Sequence, residues 1–469
     1  MDARALTLLT VDPFNASLAG DLGFVLEREI LLTVADPEAV SALIRQHFGE
    51  EDGSLAELAR ELGSAVAPAG VDDAATETDL EQLAGQTPII RFVSLVLTQA
   101  IRDRALDIHF EPFEHEFKIR CRVDGALREL TPPPRQLARP IVSRLKVLAH
   151  LNIAERRLPQ DGRIKLTVSG RTVDLRVSTL PTQFGESVVL RVLDQSVLSL
   201  ELTQLGLPAP VDAGVRAAIS RPNGMFIVTG PTGSGKTTML YSCLHALHSP
   251  GVKILTVEDP VEYEIDGIMQ VPVNQAAGLT FARALRSFLR QDPDIVMIGE
   301  MRDLETARIA VQASLTGHLV LSTLHTNDAP GAVTRLLDLG IEPFLLASTL
   351  EGVLAQRLLR RICPECKTAR TPAESVRRHL GADFSQLGEQ TCYVGLGCPA
   401  CQYTGYRGRL GIFELLPIND ELRDLIVDGA SLMQLRQKAT ALGLTSLRDA
   451  GVRAVLEGET TLEEVMRYT

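Results

Sequence analysis

Gly230-Pro231-Thr232-Gly233-Ser234-Gly235-Lys236-Thr237 fits the pattern GxxxxGK[ST] without a mismatch. Glycines at these spacings let backbone N–H groups converge on phosphate oxygens. In that chemistry Lys236 neutralises the β- and γ-phosphates and the Thr237 hydroxyl ligates Mg²⁺, with Thr238 following in the first helical turn. The flanks suit the motif. Phe226–Thr229 is an apolar, β-branched run that reads as a strand, and Thr238–His248 reads as a helix whose N-terminal dipole adds to the anion site. A chance glycine-rich turn is the bland alternative, and the strand–loop–helix setting argues against it.

Three more apolar runs end in polar residues, on the side where a doubly wound sheet binds ligands. Ile254–Val257 leads to Glu258-Asp259-Pro260, and Ile295–Ile298 leads to Gly299-Glu300. The second resembles a strand that presents an aspartate to Mg²⁺, with Gly299 in the aspartate's place. Glu300 then acts on Mg²⁺ through water, and Glu258 polarises the attacking water. His318–Thr323 leads to His325-Thr326-Asn327-Asp328; a lone histidine is more often structural, and the strand-end position singles out His325. Arg286 and Arg290 lie four apart on one face of an expected helix, Phe281–Arg290, which reads equally as a solvated basic face. Arg176 and Arg191 interrupt apolar alternation in the preceding region, where a cation is less expected. Arginines brought from another domain can stabilise charge on a transferring phosphoryl group.

Cys363-Pro-Glu-Cys366 and Cys398-Pro-Ala-Cys401 are separated by 31 residues. Paired CxxC motifs suit a tetrahedral Zn²⁺ held by four thiolates, and four protein ligands leave no open position, so the site reads as structural. A redox dithiol is the weaker reading, because two pairs occur and neither opens a βαβ unit. Cys121, Cys243 and Cys392 read as packing residues.

The elements that must position these groups fall into a chain of 469 residues, about three domains at roughly 150 residues each. Hydrophobic residues make up 45 % and charged residues 23 %, an ordinary globular composition that excludes disordered, fibrous and membrane-embedded classes. Residues 1–63 read as an acidic module with strands at Phe24–Leu26 and Ile30–Val34 and a helix over Pro37–Phe48. Residues 64–86 read as a linker. From 87 to 205 the pattern is α+β: an amphipathic helix buries Ile89, Phe92, Val93, Val96, Leu97 and Ala100, and Phe117–Val123 alternates into an Asp124-Gly125 hairpin turn. Helix Leu137–Leu148 follows, then further strands, and Pro208–Pro222 reads as a connection. From Met225 to Ala355 apolar runs alternate with helical segments, the βαβ rhythm of a sheet covered on both faces. The cysteine-bearing insertion spans 362–406 within the region 206–469.

The net charge of −12 is unevenly spread: residues 1–86 carry 17 acids and four bases, and the other 383 carry 42 and 43. No basic footprint and only 4 % aromatics argue against a nucleic-acid translocase. The N-terminus carries no signal-peptide pattern and no run of eighteen apolar residues occurs, so the expected location is cytoplasmic, with membrane contact through partners.

Taken together, the quoted motifs resemble the ATPases of type II secretion and type IV pilus assembly. Further segments carry the same resemblance: Asp107–Pro112, Arg120–Gly125, Leu158–Arg163, Asp174–Thr179, Leu289–Glu300, Thr316–Asp328 and Thr404–Glu414. The resemblance covers residue 87 to the end, more weakly what precedes it. It implies a RecA-like P-loop NTPase domain after a PAS-like α+β domain and a small N-terminal α/β module, assembled as a homo-hexamer. It implies ATP, Mg²⁺ and Zn²⁺ as cofactors, Arg176, Arg191, Arg286 and Arg290 at the phosphates, Glu258 and Glu300 in catalysis, and a Gly-Glu strand end as the normal pattern. The zinc knuckle, absent from pilus retraction ATPases, implies secretion or assembly. In this family the N-terminal module docks on an inner-membrane platform protein, and its short length here favours secretion over pilus assembly. A nucleotide-gated scaffold without hydrolysis is disfavoured by the presence of Lys236, Glu258 and Glu300.

Overall fold

Two short strands near the N-terminus, β1 (Ala5–Thr10) and β2 (Glu29–Val34), pair in parallel, Ala5 opposite Glu29. The computed structural model describes residues 5–10, 29–36, 87–168, 171–193, 201–370 and 392–469. The expected strand Phe24–Leu26, helix Pro37–Phe48, linker 64–86 and the interior of the cysteine-bearing insertion (371–391) lie outside the described residues. β2 contains the expected Ile30–Val34, whereas β1 goes beyond the strands expected from sequence. The chain divides into two compact units, Met1–Val192 and Leu193–Thr469.

In the first unit, helix α1 (Thr87–Arg102) buries the six expected apolar residues to 0–1 % exposure. They face a six-stranded sheet of order β5-β4-β3-β8-β7-β6, made of β3 (Asp107–Pro112), β4 (Phe117–Val123), β5 (Ala126–Glu129), β6 (Gln160–Val168), β7 (Arg171–Thr182) and β8 (Gly185–Leu193). β4 alternates strictly between buried and half-buried positions, because successive side chains point to opposite faces. Asp124 (φ +49°) and Gly125 (φ +84°) both take the left-handed conformation that a two-residue hairpin between β4 and β5 requires. Helix α2 spans Ala138–Leu148 after a 3₁₀ turn at Arg135–Leu137. It carries Lys146, whose buried ammonium donates to Glu186 at 2.8 Å and to the Glu155 carbonyl at 2.6 Å.

The second unit is built on a seven-stranded sheet, β11-β10-β12-β13-β9-β14-β17. Its strands are β9 (Gly224–Thr229), β10 (Ile254–Glu258), β11 (Met269–Pro272), β12 (Ile295–Ile298), β13 (Leu319–Leu324), β14 (Leu350–Ile362) and β17 (Tyr406–Pro417). All neighbours run parallel except β14 and β17. Side chains of one strand feed two cores: Met225 and Ile227 pack on one face of β9, Phe226 and Val228 on the other. That two-sided burial explains the continuous apolar runs.

Helix α3 (Ala209–Ile219) occupies the stretch read from sequence as a connection, and its Val215 and Ile219 are buried. Pro210 is compatible with a helix because it falls in the first turn, where the missing N–H has no intrahelical partner. Helix α4 runs Lys236–Leu247, two residues earlier than expected. Helix α5 (Phe281–Phe288) ends before Arg290, which therefore lies in the following turn. Helices α6 (Leu304–Leu315) and α7 (Ala329–Asp338) start on side-chain caps, Asp303 accepting from Thr306 N and Asp328 from Gly331 N. Helix α8 (Pro343–Thr349) feeds β14, and the small pair β15 (Lys367–Arg370) and β16 (Cys392–Gly395) projects between β14 and β17. Helices α9 (Asp420–Val427), α10 (Leu432–Ala441), α11 (Leu447–Leu456) and α12 (Leu462–Tyr468) close the chain. No helix among the described residues is long and apolar enough to cross a membrane.

Candidate active site

Because β9, β10, β12 and β13 are parallel neighbours, their C-terminal ends lie along one edge of the sheet. The phosphate loop follows β9, Glu258 ends β10, Gly299-Glu300 follows β12 and His325 follows β13. One topological fact thus gathers four sequence-distant groups.

Within the loop, Gly230 (φ +151°), Gly233 (φ +78°) and Gly235 (φ +88°) take backbone conformations that L side chains rarely adopt. Gly235 caps α4, so the helix N-terminus opens onto the loop. Lys236 Nζ donates to the carbonyls of Gly230 at 2.8 Å and Pro231 at 3.0 Å. Burial lowers its pKa to about 8; the Glu300 carboxylate opposes this and the Arg357 charge adds to it. The Thr229 and Thr326 hydroxyls lie 2.7 Å apart, and Thr326 N donates to Thr229 Oγ1 at 2.9 Å, which ties the start of the phosphate loop to the His325 turn.

Gly230 also leaves no room for a side chain: a Cβ there would sit 2.6 Å from the Gln356 carbonyl and 2.5 Å from Ser234 Oγ. Backbone strain of about 1–3 kcal/mol at such a site corresponds to roughly five- to 150-fold in affinity. Gly230→Ala is accordingly expected to weaken ADP binding by that factor in a calorimetric titration; wild-type affinity would show that the loop does not hold the ligand.

The Glu300 side chain is 14 % exposed. It pairs with Arg302 and stands 3.4 Å from His325 Nε2. The His325 pKa is lowered, first by burial and then by the Lys236 charge, against the pull of Glu300. Gly299 has a steric reason: a Cβ would press on the Val257 carbonyl at 3.3 Å and on Glu258 Cα at 3.4 Å. His318 lies at the opposite end of β13, its Nδ1 held by the Ala313 carbonyl at 2.9 Å, in a structural role.

Glu258 is 3 % exposed and accepts three hydrogen bonds, from Tyr241 Oη, from Thr256 Oγ1 at 2.6 Å and from Gln270 Nε2 at 3.1 Å. Gln270 Nε2 also reaches the Tyr263 carbonyl at 2.9 Å, so the carboxylate sits inside a network that fixes the turn after β10. Arg286 pairs with Glu305, and Arg290 Nη1 donates to the Arg286 carbonyl at 2.7 Å; both are exposed. Arg176 and Arg191 belong to the first unit: Arg176 stands opposite Arg163 across β6–β7, and Arg191 Nε donates to Asp107 Oδ1 at 3.0 Å. Arg302, Tyr241, Gln356 and Arg357 are additions to the residues picked from sequence. A glutamine and an arginine inside the core run Val353–Leu359 were the available signal for the last two.

The four Cys363, Cys366, Cys398 and Cys401 sulfurs all lie within 4.8 Å of one another. Cys363–Cys398 and Cys366–Cys401 are 3.8 Å apart and Cys398–Cys401 3.7 Å. A tetrahedron with zinc–sulfur bonds of about 2.3 Å has edges of about 3.8 Å, so the sulfurs fit that metal. Backbone N–H groups of Gly397, Cys398 and Gly405 point at Cys366 and Cys401 sulfurs from 3.2–3.3 Å. Cys121, Cys243 and Cys392 are buried.

A glycine-rich loop between a buried parallel strand and a helix, faced by a lysine, a glutamate and a histidine at one sheet edge, defines a P-loop nucleoside triphosphatase. The family model described as "Type II/IV secretion system protein" matches residues 82–467, and the chain belongs to that family. A second model, "MshEN domain", matches residues 1–54. The chain is 48 % identical to the type IV pilus assembly ATPase PilB of Myxococcus xanthus, over 99 % of this chain and 82 % of that one. It is 51 % identical to the type II secretion system protein HxcR of Pseudomonas aeruginosa (90 % and 88 % covered) and 53 % to the type II secretion system ATPase E of Vibrio cholerae (83 % and 77 %). Among solved structures, the pilus retraction motor PilT with bound ADP is similar at a TM-score of 0.54 and 26 % identity, covering 80 % of this chain and 96 % of that one. The Legionella pneumophila ATPase DotB, at 0.60 and 20 %, covers 80 % and 94 % and shares the fold. The chain is an ATPase of the secretion and pilus family.

Proposed function

We propose that the chain is a homo-hexameric motor that hydrolyses ATP to ADP and phosphate and so drives pseudopilus extension and protein export in a type II secretion system. The observation that carries the chemistry is the convergence of Lys236, Glu300 and His325 on the phosphate loop. Lys236 and the loop N–H groups bind the phosphates. Thr237, with Glu300 behind it, would hold Mg²⁺, which supplies charge neutralisation when bound. Glu258, immobilised by Tyr241, Thr256 and Gln270, polarises the attacking water. By the family resemblance, Arg176 and Arg191 of the preceding α+β domain, PAS-like in that family, act with Arg286 and Arg290 on developing phosphoryl charge. Cys363, Cys366, Cys398 and Cys401 hold Zn²⁺ as a structural knuckle. The acidic N-terminal module, ahead of the α+β domain at 87–205 and the ATPase domain at 206–469, docks on an inner-membrane platform protein from the cytoplasmic side.

The test is phosphate release by the purified full-length chain. Wild type is expected to turn over ATP, and Glu300→Gln to bind ATP while hydrolysing it roughly 10- to 100-fold more slowly, because an outer-shell partner of a metal site contributes about that much. Hydrolysis by Glu300→Gln at the wild-type rate would remove Glu300 from the mechanism. The match to the PilB of M. xanthus along 99 % of this chain favours a second reading, pilus assembly. Co-purification of the full chain with either a secretion or a pilus platform protein separates the two.

A further inference from the structure

Arg357 lies on β14 two residues beyond the Ala355–Thr229 pair, where that strand runs beside the phosphate loop. It is 6 % exposed, yet no carboxylate lies within 4.0 Å of it among the described residues. Its hydrogen-bond partners among the described residues are carbonyls, Asn327 O at 2.7 Å from Nη2 and Gln356 O at 3.0 Å from Nη1. Two acids beyond that distance still act on its charge, Glu414 and Asp328. Glu414 accepts from Ala329 N at 2.8 Å and from Leu447 N at 3.0 Å, and Asp328 accepts from Gly331 N and Arg436. Glu414 keeps its charge, since its donors are backbone N–H groups, and Asp328 is shared with Arg436, so the guanidinium is offset only at a distance and burial still disfavours its charge.

The charge faces the phosphate loop. A Cβ on Gly230 would sit 3.1 Å from Arg357 Nη1. Its neighbour Gln356 backs the same loop, with Nε2 2.7 Å from where a Cβ on Gly235 would stand. Gln356 Oε1 and Ser234 Oγ are both buried without a hydrogen-bond partner among the described residues. Through the Asn327 carbonyl the guanidinium also holds the turn that carries His325.

We propose that Arg357 is a positioning residue of the nucleotide site, a buried cation without a direct carboxylate partner among the described residues, whose charge is complemented by the polyphosphate held on the other side of the Gly230–Lys236 loop. It acts through the loop backbone, and not by touching the reacting atoms. The inference rests on the nucleotide reading above. A purely structural strut would use the same hydrogen bonds but would be indifferent to the charge of the ligand.

The experiment compares wild type, Arg357→Met and Arg357→Lys as full-length chains, titrated calorimetrically with ADP from pH 7 to 9.5 and melted with and without saturating ADP. Arg357→Met is expected to bind ADP roughly tenfold more weakly and to show a smaller ADP-induced rise in melting temperature. Arg357→Lys, which keeps the charge and loses the fork, should stay within about threefold of wild type. Wild-type ADP affinity in Arg357→Met would overturn the proposal, as would equal losses in the two variants. If Arg357→Met does not fold, the Arg357→Lys affinity alone decides. Failure of the wild type to bind ADP would instead overturn the nucleotide reading itself.

Discussion

Lys236→Ala is expected to slow ATP hydrolysis by roughly 10²–10³-fold or more, the cost of removing one preorganised donor from developing oxyanion charge. Lys236 is the cation at the centre of the loop, spanning the carbonyls of Gly230 and Pro231, and its amine faces Glu300. Phosphate release measured under saturating ATP checks the effect; wild-type turnover in the variant would remove the motor reading. The same amine gives a pH signature. Burial brings its pKa from 10.5 to about 8 in the free chain, and only the protonated form attracts phosphate. Nucleotide affinity should therefore fall as pH rises through about 8, with proton uptake on binding above that value. The sign for the free chain is opposite: between about 8 and 10.5 the unfolded lysine holds the proton that the folded one has lost, so this group makes folding more favourable as pH rises. An ADP titration flat from pH 7 to 9.5 would contradict the depressed amine.

Removing the proposed zinc is expected to have the largest effect on stability. Apparent binding energies of structural zinc are about 10 kcal/mol or more, and the described part of the knuckle otherwise rests on the short β15–β16 pair and a close backbone approach of Gly395 to Gly405. Chelation, or Cys401→Ser, should abolish hydrogen-exchange protection over residues 392–406 while ADP affinity stays within about twofold, since none of the four cysteines touches the phosphate loop. Stoichiometric zinc release in the wild type provides the control. Loss of ADP affinity with the central sheet still protected would show that the metal does more than hold the knuckle.

What could be read from sequence was what depends on local order. The glycine spacing of the phosphate loop, the paired cysteines, the six buried positions of α1 and the Asp124-Gly125 turn each follow from residues a few places apart. The gathering of Glu300 and His325 at one sheet edge was also legible, because parallel strands impose it. Contacts between distant segments were not. Nothing in the spacing of Glu258 shows that Tyr241, seventeen residues earlier, closes over its carboxylate. Nothing around Arg286 shows that Glu305, nineteen residues later, takes its charge. Pro208, Pro210 and Gly214 gave α3 the look of a connection, although proline at a helix start costs little. Arg357 matters through Asn327 and Gly230, which follow other strands.

β14 passes both stations of the second unit, the phosphate loop at Gln356–Arg357 and the cysteine cluster at Cys363. The six residues from Arg357 to Cys363, just past the strand's end, span at most about 20 Å at strand rise, with an irregularity in the pairing to β17 between Arg360 and Ile362. β14 is hydrogen-bonded to β9 along its first half and to β17 along almost its whole length. A strand clamped in this way cannot stretch, so it serves as a built-in ruler. Spectroscopic labels placed at the two stations should report one constant separation through every turnover, and any label elsewhere that moves can be measured against that fixed baseline.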